Sequence, residues 1–110
     1  TPLWQVMEAN YTFNLTINGF ARIAQRSVGT FKREFHEYYR MTPGRWLTQK
    51  RLEYAKDLLD TSKKNVTEIA DESGFENITH FSRIFKVKYG FSPLQYRKRE
   101  TLPFSKNWSL

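Results

Sequence analysis

The sequence contains no cysteine, and its 110 residues include only five glycines and four prolines. The lack of cysteine excludes a disulfide scaffold, a cysteine-ligated metal site and a thiol nucleophile. No apolar run approaches the roughly 20 residues that span a bilayer, which excludes a transmembrane helix. A chain of this length can form one domain, or two very small domains that share a helix.

Acidic residues are scarce relative to basic ones. The chain has 11 Asp and Glu against 18 Lys and Arg, a formal net charge of +7. Such a surplus favours a polyanionic partner, either nucleic acid or an acidic membrane surface. Residues 22–51 carry eight bases and two acids, residues 66–76 carry four acids and no base, and bases return at residues 83–99. Two basic stretches separated by an acidic one indicate two contact elements.

The sequence is rich in aromatic residues, and their spacing follows helical patterns. The 18 aromatic residues argue against disorder, and their spacing is helical nearly throughout, with no alternating strand of useful length. Pro2 can open a first helix with Leu3, Trp4 and Met7 on one stripe. Further start and stop signals predict an all-α fold of about seven helices. These signals are Thr16, Ser27, Thr42-Pro43, Asn65 with Glu68, Asn77 and Ser92-Pro93 at helix starts, and Gly74 and Gly90 at helix ends.

The chain also contains an internal repeat. The repeated segments are Ile23-Ala24-x-x-Ser27 and Ile69-Ala70-x-x-Ser73, then Phe31-x-Arg33-x-Phe35 and Phe81-x-Arg83-x-Phe85, then Thr42-Pro43 and Ser92-Pro93. The first pair is offset by 46 residues and the others by 50, so we expect a connection four residues longer in the second copy. Each copy has a short helix, a turn and a second helix that begins with polar and basic residues. This is the plan of a helix-turn-helix unit.

Both second helices have the composition of DNA-reading helices. An α-helix fits the major groove, and an arginine there can donate two hydrogen bonds to guanine. Burial of the paired phenylalanines would turn Arg33 and Arg83 outward at matched positions of the repeat. The predicted DNA-binding residues are Gly29, Thr30, Lys32, Arg33, His36, Asn77, Ile78, Thr79, His80, Ser82, Arg83 and Lys86. We expect no metal and no cofactor, because two histidines without further ligands do not make a metal site.

Six basic residues, two of them in the predicted DNA-binding set, are open to two interpretations. They can contact phosphates, which fixes register without reading sequence, or they can simply promote solubility. The residues concerned are Arg22, Arg26, Lys32, Arg45, Lys86 and Lys88.

A long helix from Pro43 to about Asp60 is predicted to join the two units. Its 18 residues give a length of roughly 27 Å, and reading helices on one face of DNA must lie roughly 34 Å apart. We therefore expect one chain to contact two neighbouring major-groove segments. The expected organisation is a first subdomain at 1–42, a linker helix at 43–62, a second subdomain at 63–100 and a tail at 101–110.

The second copy resembles the signature of the AraC/XylS transcription regulators. The resemblance covers about residues 16 to 99. Its motifs are Ile69-Ala70-x-x-x-Gly74-Phe75, His80-Phe81-Ser82-Arg83-x-Phe85-Lys86 and Tyr89-Gly90-x-Ser92-Pro93-x-x-Tyr96-Arg97, with Phe31-Lys32-Arg33-x-Phe35 and Arg51-Leu52-x-x-Ala55-x-x-Leu58-Leu59 upstream.

The resemblance implies a seven-helix, double-stranded-DNA-binding domain at the C-terminus of a bacterial, cytoplasmic regulator. In such regulators a sensor or dimerisation region commonly precedes the domain, and many activate transcription by touching RNA polymerase. The missing initiator methionine fits a piece of a longer chain. Two departures are Arg40, which stands where the second copy has Gly90, and Gly29, which removes a side chain from an implied base-reading position.

Two other classes of function fit less well. A basic module that binds a protein or an acidic membrane predicts one continuous basic amphipathic face, not capped short helices in duplicate. An enzyme requires a nucleophile with its base, paired catalytic carboxylates or a phosphate-binding glycine loop, none of which we find. Glu68 and Asp71 are better explained as a solvated helix face.

Overall fold

The computed structural model describes residues 2–101, and this range contains seven α-helices and no strand. The helices are α1 (Leu3–Asn10), α2 (Ile17–Ile23), α3 (Val28–Tyr39), α4 (Pro43–Thr61), α5 (Val66–Glu72), α6 (Ile78–Tyr89) and α7 (Pro93–Thr101). The predicted all-α class is therefore confirmed. Among these helices, none combines the length and the apolar composition needed to cross a bilayer. Most of the predicted tail, residues 102–110, lies outside the described residues.

Side-chain caps fix the starts of four helices, α2, α3, α5 and α6. Thr16, Ser27 and Asn77 each accept a hydrogen bond from the backbone N–H three residues later, at 3.1, 3.2 and 2.9 Å. Asn65 and Glu68 form the reciprocal capping box that their spacing predicts. Each such cap stabilises a helix by about 1 kcal/mol, which helps helices of seven residues to persist.

The chain divides into two compact units, of which the first ends at Arg51 and the second begins at Leu52, inside α4. Each unit has its own core, which includes two fully buried phenylalanines of α3 in the first unit and of α6 in the second. The first core consists of Leu3, Val6, Met7, Phe20, Ala21, Ala24, Phe31, Phe35, Trp46 and Leu47. The second consists of Leu52, Ala55, Leu59, Ile69, Ala70, Phe81, Phe85 and Tyr96.

The repeat extends into the packing of these cores. In the first unit the ring of Phe35 lies 5.9 Å from Trp46, edge to face. In the second unit Phe85 meets Tyr96 at 5.8 Å with the same geometry. Because both pairs are offset by 50 residues, the sequence repeat from α3 onward is also a structural one.

The structure corrects the expected register of the repeat between α2 and α5. In α2 the buried residues are Phe20 and Ala21, whereas Ile23 is 43% exposed. In α5 the buried residues are Ile69 and Ala70. Since burial defines equivalence in a core, Phe20 corresponds to Ile69, and the offset is 49 rather than 46. The match between Ile23-Ala24 and Ile69-Ala70 in the sequence was therefore misleading.

The turns after these helices support the offset of 49. Gln25 has a φ of 61° in the first unit, and Gly74 has a φ of 97° in the second. The N–H of the following residue donates to the carbonyl of Ala21 in one unit and of Ala70 in the other, both at 2.9 Å. The connection in the second copy is longer by one residue, not by the four that we expected.

Arg40 ends α3 in a left-handed conformation, with φ 60° and ψ 29°. Its N–H donates to the carbonyl of His36 at 2.8 Å, as Gly90 donates to Lys86 at 2.8 Å at the end of α6. Arg40 therefore ends α3 with the same left-handed geometry that Gly90 gives the end of α6, and its backbone is strained because it carries a side chain. Together with Gln25, it places a side chain at both left-handed positions of the first unit, where a side chain costs about 1–2 kcal/mol.

We expect Arg40→Gly to raise the free energy of unfolding by about 0.5–1 kcal/mol. Relief of the left-handed strain outweighs the greater entropy that glycine gives the unfolded chain. Urea unfolding followed by circular dichroism measures the change. The matched control is Gly90→Ala, which should destabilise by about 1 kcal/mol for conformational reasons alone, since a Cβ there meets no heavy atom within 4 Å. An Arg40→Gly protein with a lower unfolding midpoint would contradict the strain.

Two arginines stabilise their own units through backbone carbonyls. Arg51 donates to the carbonyls of Tyr11 at 2.7 Å and Phe13 at 2.9 Å, which fastens the segment after α1 to α4. Arg97 donates to the carbonyls of Ser62, at 3.1 Å, and Lys64, which fastens the connection between α4 and α5 to α7. These two cations have structural roles.

Candidate nucleic-acid interface

The exposed face of α3 carries the residues predicted for the first unit. Phe31 and Phe35 are fully buried and fix the orientation of the helix. As a result, the side chains of Lys32, Arg33 and His36 are exposed. Gly29 is exposed and Thr30 is half-buried, so all five predicted residues of this helix reach the surface together.

The exposed face of α6 carries the corresponding set in the second unit. Phe81 and Phe85 are fully buried, as their counterparts in α3 are. Asn77, which caps the helix, is exposed. Of the other predicted residues, Ser82 is half-buried, and the exposed ones are Ile78, Thr79, His80, Arg83 and Lys86. Each predicted set is therefore presented by one capped helix.

A short chain of hydrogen bonds orients Arg83. The cap residue Asn77 accepts from the backbone N–H of His80 at 2.9 Å. The Arg83 Nη2 lies 3.1 Å from His80 Nδ1, and the guanidinium donates when that nitrogen is unprotonated. This contact reduces the rotamer freedom that Arg83 would lose on binding a ligand. Sequence reasoning missed it, although the i, i+3 spacing of the two residues was a signal.

Arg33 lacks this arrangement. Thr30 occupies the position three residues before it, and we find no hydrogen bond or ion pair of the Arg33 guanidinium within residues 2–101. The guanidinium is therefore exposed and unrestrained by the described part of the protein. The two matched arginines differ in how far they are preorganised for binding.

Gly29 leaves an open position one turn before Arg33. A Cβ at this residue would meet no heavy atom within 4 Å, so the fold does not require glycine there. We expect Gly29→Ala to raise the free energy of unfolding by about 0.5–1 kcal/mol, because alanine loses less backbone entropy in a helix. Thermal and urea unfolding measure this change. Gly44→Ala, at the equivalent place in α4 and also in open space, should give a similar gain, and a loss in both variants would refute the explanation.

The structure separates some of the basic residues that the sequence left undecided. Arg26 is structural, since its Nε lies 2.5 Å from Glu34 and its Nη1 donates to the carbonyl of Ala24 at 2.7 Å. Lys88 is exposed, but its Nζ lies over the ring of Tyr89 at 5.7 Å. The remaining bases are exposed, as a phosphate contact requires: Arg22, Lys32, Arg45 and Lys86.

Val87 is a candidate surface residue that the sequence prediction did not include. It is 82% exposed and follows Arg83 by four residues, which places it on the same face of α6. An exposed apolar side chain there is suited to contact a thymine methyl group. The four-residue spacing between Arg83 and Val87 is the sequence feature that could have identified this residue.

A half-buried tyrosine is the last residue of both α3 and α6. Burial, with a smaller contribution from the nearby Glu8 and Tyr38, raises the pKa of Tyr39 to about 12. Burial also raises the pKa of Tyr89, its counterpart in α6. The two rings pack on the core phenylalanines at 4.4 Å in the first unit and 4.7 Å in the second. Both helices are therefore held at their C-terminal ends by neutral aromatic packing, and their exposed N-terminal turns are left for contacts.

Two units, each with a capped helix that exposes polar and basic residues, define a double helix-turn-helix domain. A family model described as a helix-turn-helix domain matches residues 20–99. The chain belongs to this family, in its AraC/XylS type.

Two similar proteins are named as transcription regulators. An uncharacterized HTH-type transcriptional regulator of Haemophilus influenzae is 42% identical over 86 residues, which are 78% of this chain and 29% of that protein. The virulence regulon transcriptional activator VirF of Yersinia enterocolitica is 33% identical over 95 residues, 86% of this chain and 35% of VirF. The chain thus spans about a third of the length of these relatives.

Solved structures of the same fold extend the comparison. The DNA-binding domain of AdpA, crystallised with a target DNA, matches with a TM-score of 0.83 and 30% identity, covering 93% of this chain and 96% of that one. The C-terminal domain of the response regulator yesN of Fusobacterium nucleatum matches with a TM-score of 0.79 and 32% identity, covering 86% and 93%.

Proposed function

We propose that this chain is the sequence-specific, double-stranded-DNA-binding domain of a bacterial AraC-type transcription regulator. The observation that carries the proposal is the exposure of Arg33 and Arg83 at matched positions of two capped helices. The similar AdpA domain, which was crystallised with a target DNA, supports it. The relatives are named as regulators, so the proposed role is binding and not catalysis.

The exposed side chains of α3 and α6 differ in the contacts that they can make with bases. Arg33 and Arg83 can each donate two hydrogen bonds to a guanine, and Ile78 offers an apolar contact to a thymine methyl group. Thr79 and His80 carry hydrogen-bonding groups in the first turn of α6, where a reading helix meets base edges. Because Gly29 has no side chain, the first unit reads fewer bases than the second.

Selection of bound duplexes from a random pool tests the proposal. We expect a recovered consensus that contains a guanine for each matched arginine. We also propose that a single chain contacts two neighbouring major-groove segments, which predicts two conserved half-sites separated by about one helical turn. Recovery of duplexes without any consensus would refute sequence-specific binding, and a single short site would refute two-segment contact.

Lys86 is proposed to contact a phosphate. In that case Lys86→Ala should weaken binding equally on selected and scrambled duplexes and reduce the slope of log K against log salt by about 0.9. Fluorescence anisotropy at several salt concentrations measures the slope. The matched control is Lys88→Ala on the same helix, because Lys88 lies over Tyr89. An unchanged slope for Lys86→Ala would remove this residue from the contact set.

The remaining proposals concern the whole regulator. We propose that it acts in the cytoplasm, carries a sensor or dimerisation region besides this domain and activates transcription by touching RNA polymerase. These proposals rest on relatives about three times the length of this chain, among them the activator VirF.

A further inference from the structure

The first unit has an apolar groove whose lining includes none of the predicted DNA-binding residues. It lies between the start of α1 and the second half of α3, and its volume is about 410 Å³. Its lining residues are Pro2, Leu3, Trp4, Glu34, Glu37 and Tyr38.

The walls of the groove are exposed aromatic rings. Trp4 was expected on the inner stripe of α1 with Leu3 and Met7, but it is 46% exposed, and Val6 is buried instead. Tyr38 is 61% exposed. Tryptophan and tyrosine are the residue types that most often anchor protein interfaces, because they offer a large apolar area at a low entropic cost.

Two carboxylates border this apolar surface on a protein whose net charge is +7. Glu34 is paired with Arg26 at 2.5 Å. Glu37 is exposed, and we find no ion pair for it within residues 2–101. Because Glu34 is paired, Glu37 carries the uncompensated negative charge of the border, which disfavours a phosphate and attracts a cationic group.

The fold itself does not require the groove. The equivalent positions of α6, 50 residues later, are Ile84, Val87 and Lys88 in place of Glu34, Glu37 and Tyr38. The second unit keeps the same core and the same helix ends without acids or an aromatic ring at these places. The groove is therefore a specific property of the first unit.

The aromatic part of the groove lies to one side of the predicted reading face. At 100° per residue, Glu34 is about 100° and Tyr38 about 140° around the axis of α3 from Arg33, whereas Glu37 is about 40° away and borders that face. A side chain that packs between Trp4 and Tyr38 is therefore placed away from Arg33, and a cation beside Glu37 lies at the edge of the reading face.

We propose that this groove binds a short basic segment of a partner protein. The segment places one apolar side chain between Trp4 and Tyr38 and a lysine or arginine beside Glu37. The charge of the border and the aromatic walls together select an amphipathic, cationic peptide over an acidic or purely polar one.

Selection from a displayed peptide library on the full 110-residue chain tests the proposal. We expect the enriched peptides to combine basic residues with at least one large apolar residue. Synthetic copies should bind Trp4→Ala and Glu37→Gln about tenfold or more weakly than the wild type. Phe13→Ala and Asp71→Asn are matched controls, an exposed aromatic ring and an exposed carboxylate outside the groove, and should bind normally.

Several results would overturn the proposal. Enriched peptides could be acidic, which would place them on the basic surface, or they could bind all four variants equally. A selection that enriches nothing would also refute a peptide site. If sedimentation shows a dimer that Trp4→Ala dissociates, the occupant is a second copy of this chain and not a partner. Should Trp4→Ala unfold, Tyr38→Ser replaces it, because that side chain is mostly solvent-exposed.

Discussion

Replacing Arg83 by alanine is expected to weaken binding to the selected duplex by about 1–3 kcal/mol, or about 5- to 150-fold, and to relax the preference for one base. The reason is geometric. The guanidinium is exposed on α6 and held by His80 at 3.1 Å, so the loss removes a preorganised pair of donors. Competition titrations against duplexes substituted at each position measure both effects.

Arg83→Lys separates base reading from simple charge. Lysine keeps the positive charge but lacks the planar pair of donors, so it should restore binding to a scrambled duplex without restoring the base preference. Arg33→Ala should relax a different base of the site, because Arg33 occupies the matched position of the first unit. Equal weakening on selected and scrambled duplexes by Arg83→Ala would refute its base-reading role.

Phe85→Ala should lower the free energy of unfolding by about 3–5 kcal/mol, the usual cost of removing a buried phenylalanine. Phe85 is fully buried and packs against Phe81 at 5.7 Å, Tyr89 at 4.7 Å and Tyr96 at 5.8 Å. Such a loss is a large part of the total stability of a small domain. Urea unfolding followed by far-ultraviolet circular dichroism measures it.

Val87→Ala is the matched control for that substitution. It lies two residues further along α6 and is 82% exposed, so it should change stability by less than about 0.5 kcal/mol. A Phe85→Ala protein as stable as Val87→Ala would show that the aromatic cluster of the second unit is not what holds it together.

The fold was predictable from the sequence where local chemistry decides it. The caps at Thr16, Ser27 and Asn77 act on neighbouring backbone groups, so their residue types and spacing suffice to locate the helix starts. The buried phenylalanines followed from i, i+4 spacing for the same reason. The register of α2 against α5 was wrong, because a seven-residue helix has too few apolar residues to define its inner face.

For the candidate site, the sequence was sufficient to predict which residues of α3 and α6 reach the surface. The inner phenylalanines determine which side chains of α3 and α6 point outward. What the sequence did not reveal is how individual cations are used. Arg26, Arg51 and Arg97 bind carboxylates or carbonyls of segments folded against them, and such pairings depend on tertiary contacts that periodicity does not describe.

The two left-handed residues of the first unit stand on either side of α3, with Gln25 before the helix and Arg40 after it. Glycine fills both corresponding places around α6. A single amino-acid substitution at either position can therefore change the stability of α3 without altering any side chain on its outward face. The two halves of the domain can evolve different stabilities while their contact surfaces stay the same.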